Sequence, residues 1–337
     1  MIEPYFLYSL APILFALGMV WYFKIANKYQ IIDKPNGRSS HIKPTVRGGG
    51  IIFVLAMLLV ALLQGFDLPY FVIGFFGISL ISFLDDIKEV SKRWRLGIQL
   101  ISLTLLIYEI TQGDLEWWQW GLFVILAMSC VNFYNFMDGV NGITAFYSLV
   151  FLGFCLYLQQ TGELVVAEEL IVIPILAVLV FSFFNARKKA LCFAGDVGSI
   201  SLAFLVVYLV GLLCWQHQDF VYIWMLGIYG VDAILTIIQR IILGQNILQG
   251  HRLHLYQLMA NEGAMPHIRV SAIYAMLQAV LNLFILGYLV PHEFDPVLLN
   301  IVMALFFISV YTPIKYGFGK KVERGVKNHG KPQSVAG

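Results

Sequence analysis

Apolar residues come along this chain in blocks about as long as a bilayer is thick, separated by short polar stretches. A membrane-crossing helix needs about 20 predominantly apolar residues. Blocks of that kind lie near 5–24, 48–66, 68–83, 96–113, 117–133, 142–159, 168–184, 197–215, 219–243, 268–290 and 297–317. The pattern predicts an all-α, polytopic integral membrane protein of about eleven transmembrane helices, forming a single domain over residues 1–337. No internal repeat, low-complexity tract or soluble second domain interrupts it. Composition agrees: 59% of residues are hydrophobic and 12% charged, and the mean hydropathy is +0.79, whereas soluble domains carry about 25% charged residues.

Charge placement supports the division into blocks. All 22 Lys and Arg residues fall in or beside alternate loops, from Lys24–Arg47, through Lys88–Arg95, Arg187–Lys189 and Arg240–Arg269, to the C-terminal stretch from Lys315 to Lys331. The intervening loops carry Asp67, Asp114, Glu116, Glu163 and Asp295 but no basic residue. By the positive-inside rule this predicts an inner-membrane protein with its N-terminus outside and its C-terminus and basic loops in the cytoplasm. The N-terminus lacks a basic region and a small-residue cleavage site, so the first helix is expected to be retained. The four cysteines sit in or beside apolar blocks without metal-type spacing, which makes them packing residues.

The chemistry is concentrated in the basic loops. At Asn132–Thr144 an apolar helix ends in N-F-Y-N-F-M-D-G-V-N-G-I-T, with Asn132, Asn135 and Asp138 within one helical face about 120° wide. Polar groups at such depth usually face a cavity, an ion or a partner. Asp33–Gly50 combines two prolines, a closing Gly-Gly-Gly, Lys43 and Arg47, and flexible glycines beside basic side chains let a backbone approach phosphate. Asp85 and Asp86 are adjacent at the end of an apolar block. Two neighbouring carboxylates repel unless a cation sits between or beside them, and Mg2+ characteristically binds one or two carboxylates plus substrate phosphates.

Asp196 lies between two glycines ahead of the next block, where Gly198 and Ser199 would offer an anion the donors of a helix N-terminus. An N-capping role explains that aspartate equally well. Asp232, Thr236 and Arg240 form a narrow stripe on the ninth block, with the acid and base too far apart to pair. Beyond it, His251, Arg252 and His254 suit phosphate better than zinc, for no third protein ligand is near.

In this order, the motifs between Asp33 and Gln257 resemble the polyprenyl-phosphate N-acetylhexosamine 1-phosphate transferase superfamily, glycosyltransferase family 4. The resemblance is carried by Asp85-Asp86, by N-x-x-N-x-x-D-G-x-x-G at Asn132–Gly142, by G-D-x-G-S at Gly195–Ser199, and by His251-Arg252-x-His254 with Tyr256 and Gln257 following. The last segment looks closer to the branch that initiates O-antigen and enterobacterial common antigen than to the multi-histidine peptidoglycan branch.

The resemblance implies transfer of a sugar 1-phosphate from a UDP-N-acetylhexosamine, or its 6-deoxy derivative, to undecaprenyl phosphate, with release of UMP. Mg2+ is the expected cofactor, with Mn2+ as a substitute. Asp196 would ligate the metal, and Asp85 and Asp86 would act at the metal or on the lipid phosphate. Phe193 would stack the uracil, Asn185 would contact the nucleotide, and Asp138 and Asn141 would border the uridine pocket. His251, Arg252 and His254 would hold phosphate oxygens. Two positions depart from the family pattern: Asn141 stands where Asp is common, and Arg95 where Lys is common. A homodimer is compatible with the resemblance, membrane lipids are expected partners, and nucleic acid is not. The alternatives are an ion-coupled transporter using Asp138 and Asp232, and a non-catalytic scaffold for polysaccharide assembly.

Overall fold

The computed structural model describes residues 4–35, 43–246, 251–292 and 294–329. Part of the Asp33–Gly50 loop, including Arg38, and the C-terminal Lys331 lie outside the described residues. Each apolar block is a helix: α1 (Pro4–Lys28), α2 (Ile51–Leu63), α3 (Pro69–Ile87), α4 (Lys92–Thr111), α5 (Trp117–Met137), α6 (Ile143–Gln160), α7 (Glu169–Asn185) and α8 (Gly195–His217). A 3-10 turn at Phe220–Leu226 leads into α9 (Gly227–Ile242), and the short α10 (Leu255–Asn261) precedes α11 (His267–Phe284) and α12 (Pro296–His329). The described strands, β1 (Ile32–Asp33) and β2 (Thr45–Val46), pair antiparallel in the first loop.

Local chemistry sets several boundaries. Pro69 opens α3, where its missing N–H costs nothing, while Glu116 and Gln119 form a reciprocal cap at the start of α5. Glu109, in α4, accepts the Tyr70 and Phe71 N–H groups at 2.8 and 2.9 Å and so caps α3 from outside. A carboxylate at a helix N-terminus satisfies orphan donors and the positive end of the dipole together. Glu109 is therefore an end cap.

Among the described residues, eight helical segments are long and apolar enough to cross a membrane: α1, α3, α5, α6, α8, the Phe220–Ile242 unit, α11 with its continuation to His292, and α12 as far as Phe318. Three of the eleven expected spans do not qualify. The helices α2 and α7 have only 13 and 17 residues, and α4 opens on Lys92, Arg93 and Arg95.

The interior is built around α8. Its most apolar stretch is 83% buried, whereas that of α12 is 6% buried. Large side chains from α3, Phe71 and Phe75, pack in tilted and edge-on contacts against Phe204 and Tyr208 of α8. Polar contacts join the α1–α2, α3–α4, α5–α6, α7–α8 and α9–α10 connections to one another at one end of the bundle.

Candidate active site

The site starts from a close backbone contact. Cys192–Ala194 runs beside Val46–Gly50: Phe193 N–H donates to the Val46 carbonyl at 2.8 Å, Gly49 N–H to that of Phe193 at 2.8 Å, and Gly50 N–H to that of Ala194 at 2.9 Å. The approach requires glycine. A Cβ on Gly50 would lie 2.1 Å from the Gly198 Cα, and one on Gly198 would lie 2.7 Å from the Gly50 Cα. This contact brings Arg47 to the first turn of α8.

Asp86 completes the joint from α3. Its carboxylate accepts the Asp196 and Val197 backbone N–H groups at 2.9 and 3.0 Å and pairs with Arg47 Nε at 2.7 Å. The anion at this helix N-terminus is thus the protein's own side chain. Gly195, at φ +72°, leaves room for it, since a Cβ there would sit 2.4 Å from Asp86 Oδ2.

Asp85, one residue earlier, faces differently. It accepts the Val90 N–H at 2.7 Å and pairs with Arg95 at 2.6 Å. Asp196 stands between the two arginines, 3.3 Å from Arg47 and 3.2 Å from Arg95. Three acidic residues that are up to 111 positions apart in sequence therefore meet at one place, held by two guanidinium groups.

Beside them is a pocket of about 330 Å³. It is lined by Arg47 and Asp196, by Asn135, Asp138 and Asn141 from the end of α5 and the turn after it, and by Asn185 and Phe193. Asn135 donates to Ser199 at 2.8 Å. Asn185 staples two loops, accepting the Gly142 N–H at 2.7 Å and donating to the Cys192 carbonyl at 2.9 Å. Asn141 donates to the Arg187 carbonyl at 2.7 Å. Burial pushes the Asp138 carboxyl up to about 6, opposed by the Thr144 hydroxyl that donates to it at 2.5 Å.

Other expected site residues stand elsewhere. Asn132 points back along its own helix, donating to the Met128 carbonyl. Lys43 is exposed and absent from the pocket lining. His251, Arg252 and His254 also lie outside that lining, although Gln257 from the same segment belongs to it. His254 is buried against Asp232, 3.2 Å away. Sequence reasoning missed Asp33 and His267, which also line the pocket. Asp33 sits in the D-K-P-N-G loop that had drawn attention for its basic residues, and nothing around His267 signals a site.

Among the described residues, no three His, Cys, Asp or Glu side chains form a group suited to hold a metal ion. The oxygen donors nonetheless fit Mg2+, which commonly takes one or two carboxylates and completes its shell with water and substrate phosphate. Asp196, 18% exposed at the side chain, and Asp85 are the carboxylates that face this junction. The Asp86 side chain is fully buried, with both oxygens held by backbone N–H groups at the N-terminus of α8.

Comparison with known proteins gives the same direction. Residues 68–213 match the family described as Glycosyl transferase family 4. A "Probable undecaprenyl-phosphate N-acetylglucosaminyl 1-phosphate transferase" of Bacillus subtilis (strain 168) is 25% identical over 289 residues, 80% of each chain. The "Undecaprenyl-phosphate alpha-N-acetylglucosaminyl 1-phosphate transferase" of Yersinia pestis is 23% identical over 277 residues, covering 74% of this chain and 76% of that one. The "Phospho-N-acetylmuramoyl-pentapeptide-transferase" of Thermotoga maritima is 30% identical over 175 residues, covering 46% and 56% respectively. Relatives of both kinds match, so the comparisons reach the superfamily without separating its branches. With its ordered motifs gathered at one end of an apolar bundle and these matches across most of its length, the chain is similar to proteins of the polyprenyl-phosphate N-acetylhexosamine 1-phosphate transferase superfamily, glycosyl transferase family 4.

Proposed function

We propose that this protein transfers a sugar 1-phosphate from a UDP-N-acetylhexosamine, or its 6-deoxy derivative, to undecaprenyl phosphate, releasing UMP and starting a lipid-linked glycan. The observation that carries this reading is the junction of Asp85, Asp86 and Asp196 with Arg47 and Arg95 beside a polar pocket, at the end where apolar helices stop. A water-soluble donor and a membrane-bound acceptor must meet at such a boundary. The basic loops favour the cytoplasmic side, with the N-terminus outside, eleven crossings in the bacterial inner membrane, and the initiating branch for O-antigen or a similar cell-envelope polysaccharide. The names of the Bacillus and Yersinia relatives support the acceptor and the sugar class.

In this reading an oxygen of the lipid phosphate attacks the sugar-bearing phosphorus, and the bond from that phosphorus to the bridging oxygen breaks, with UMP keeping the oxygen and its electrons. The acceptor phosphate is already ionised near neutral pH, so no strong base is required. Asp85, beside Arg95, orients the acceptor. Arg47 and Arg95 place two fixed positive charges where phosphate charge accumulates, and preorganised charge of this kind stabilises a transition state without further reorganisation. Phe193 offers a ring to the base, while Asn135, Asp138, Asn141 and Asn185 shape the nucleoside end of the pocket. His251 and Arg252 meet the outer phosphate oxygens when the substrate fills the pocket. Mg2+, held by Asp196 and Asp85, would neutralise the diphosphate and stabilise the departing UMP.

The test is purified protein with Mg2+, undecaprenyl phosphate and a panel of UDP-sugars, following UMP. Release that depends on both the lipid and one sugar class is expected. No release with any sugar would sink the proposal.

A further inference from the structure

The carboxylate of Asp232 lies on α9, fully buried, and has no role in the pocket just described. Six donors from four elements nevertheless end on it. Its Oδ1 accepts from the Tyr311 hydroxyl at 2.7 Å, the Leu255 N–H at 3.0 Å, His254 Nδ1 at 3.2 Å and the Thr236 hydroxyl at 3.2 Å. Its Oδ2 accepts from the Tyr274 hydroxyl at 2.6 Å and the Tyr256 N–H at 3.3 Å. An ionised carboxylate has about four lone-pair sites, so this one is saturated, which argues against an exchanging ion or proton carrier.

His254 is the partner that connects Asp232 to the chemistry. It is 1% exposed, and because Asp232 can only accept, the nitrogen facing it carries a proton. With the proton on Nδ1, the ring in its neutral form presents an unprotonated Nε2, for the tautomer of a histidine is set by the bond its other nitrogen makes. That Nε2 is buried and has no hydrogen-bond partner among the described residues. The ring lies 4.8 Å from that of His251 and 6.4 Å from that of Phe136. Tyr256 carries the same segment onto the end of α5, donating to the Phe136 carbonyl at 2.8 Å, and Gln257 lines the pocket. His254 is therefore two residues from this contact and three from the pocket wall.

We propose that Asp232 is a positioning residue for the transfer reaction: it fixes the tautomer of His254 and holds the Arg252–Gln257 segment against the phosphate end of the pocket. The role in transfer rests on the function proposed above, while the pairing does not. Losing the carboxylate that orients a metal-bound histidine typically costs tenfold to a hundredfold, and a similar loss is expected where the histidine positions a segment at the pocket.

Asp232→Asn and His254→Asn are each expected to lower kcat by about tenfold to a hundredfold, with KM for the UDP-sugar changed by less than about twofold. The double variant is expected to fall no further than the weaker single one, because both remove the same arrangement. Tyr274→Phe, which removes another donor to the same carboxylate, is expected to lower the melting temperature while kcat stays within about twofold. Multiplying losses in the double variant, or a kcat loss in Asp232→Asn that vanishes after correction for folded protein, would overturn the proposal. Should Asp232→Asn fail to fold, imidazole nitrogen NMR of the wild-type protein decides, with His254→Asn identifying the signal. A protonated Nδ1 is expected, and a bare Nδ1 overturns the pairing. If the wild type transfers no sugar phosphate from any donor, the proposed function fails, while the NMR result still judges the pairing.

Discussion

Replacing Asp86 by Asn separates a residue that builds the site from one that works in it. The side chain is fully buried and receives two backbone N–H groups from the first turn of α8 and one guanidinium N–H from Arg47. Asparagine keeps a single oxygen, so one backbone donor loses its partner, which costs about 1–3 kcal/mol. Breaking a buried ion pair by removing one partner costs about 3–5 kcal/mol. Arg47, however, is 34% exposed at its side chain and retains Asp196 and water, which reduces that contribution to the low end or below. A net loss of about 3 kcal/mol follows. At roughly 2–4 °C per kcal/mol for a chain of 150–250 residues, the melting temperature should drop by on the order of 5–10 °C. In detergent, unfolding can be followed with a thiol-reactive dye that reaches the buried Cys155 and Cys192 only as the helices part, alongside UMP release. Stability and activity should fall together. An Asp86→Asn protein that melts with the wild type yet releases no UMP would refute the capping argument and return Asp86 to direct contact with substrate or metal.

Asp196→Asn should behave in the opposite way: its contacts to Arg47, Arg95 and Asn135 are all longer than 3.1 Å, so the fold should survive while UMP release and Mn2+ binding by electron paramagnetic resonance are both lost. Retained Mn2+ affinity would remove Asp196 from the metal assignment. Gly198→Ala places a methyl 2.7 Å from the Gly50 Cα and 2.8 Å from the Ala194 Cβ, an overpacking expected to cost about 1–3 kcal/mol and readable in the same melting assay. His251 is pushed down to about 4, first by burial and then by His254, Arg240 and Lys315. On lowering pH the unfolded chain takes up this proton first, so its stabilising contribution is complete above pH 6.5 and is lost as the pH falls toward 4. His251→Asn should flatten melting temperature against pH across that window, and an unchanged slope would count against the burial of the ring.

Much of this molecule can be read directly from its residues. The length and spacing of the apolar blocks determined that the chain is a bundle of membrane-type helices and where each one lies, because hydrocarbon accepts a helix only when about 20 side chains suit it. The ordered motifs marked Asp85, Asp86, Asn135, Asp138, Asp196 and Phe193 as belonging together. Hydropathy is silent about neighbours, since a side chain facing lipid and one facing another helix are equally apolar. It could not distinguish the buried α8 from the exposed α12, nor find Asp33 and His267 at the pocket. Only tertiary packing decided that Arg47 and Arg95 supply the charge between the aspartates, that Asp86 caps a helix 110 residues away, and that Asp232 belongs to His254. Such pairings join groups distant in sequence. They arise where folding removes water and a buried charge must take whichever partner the packed helices bring to it.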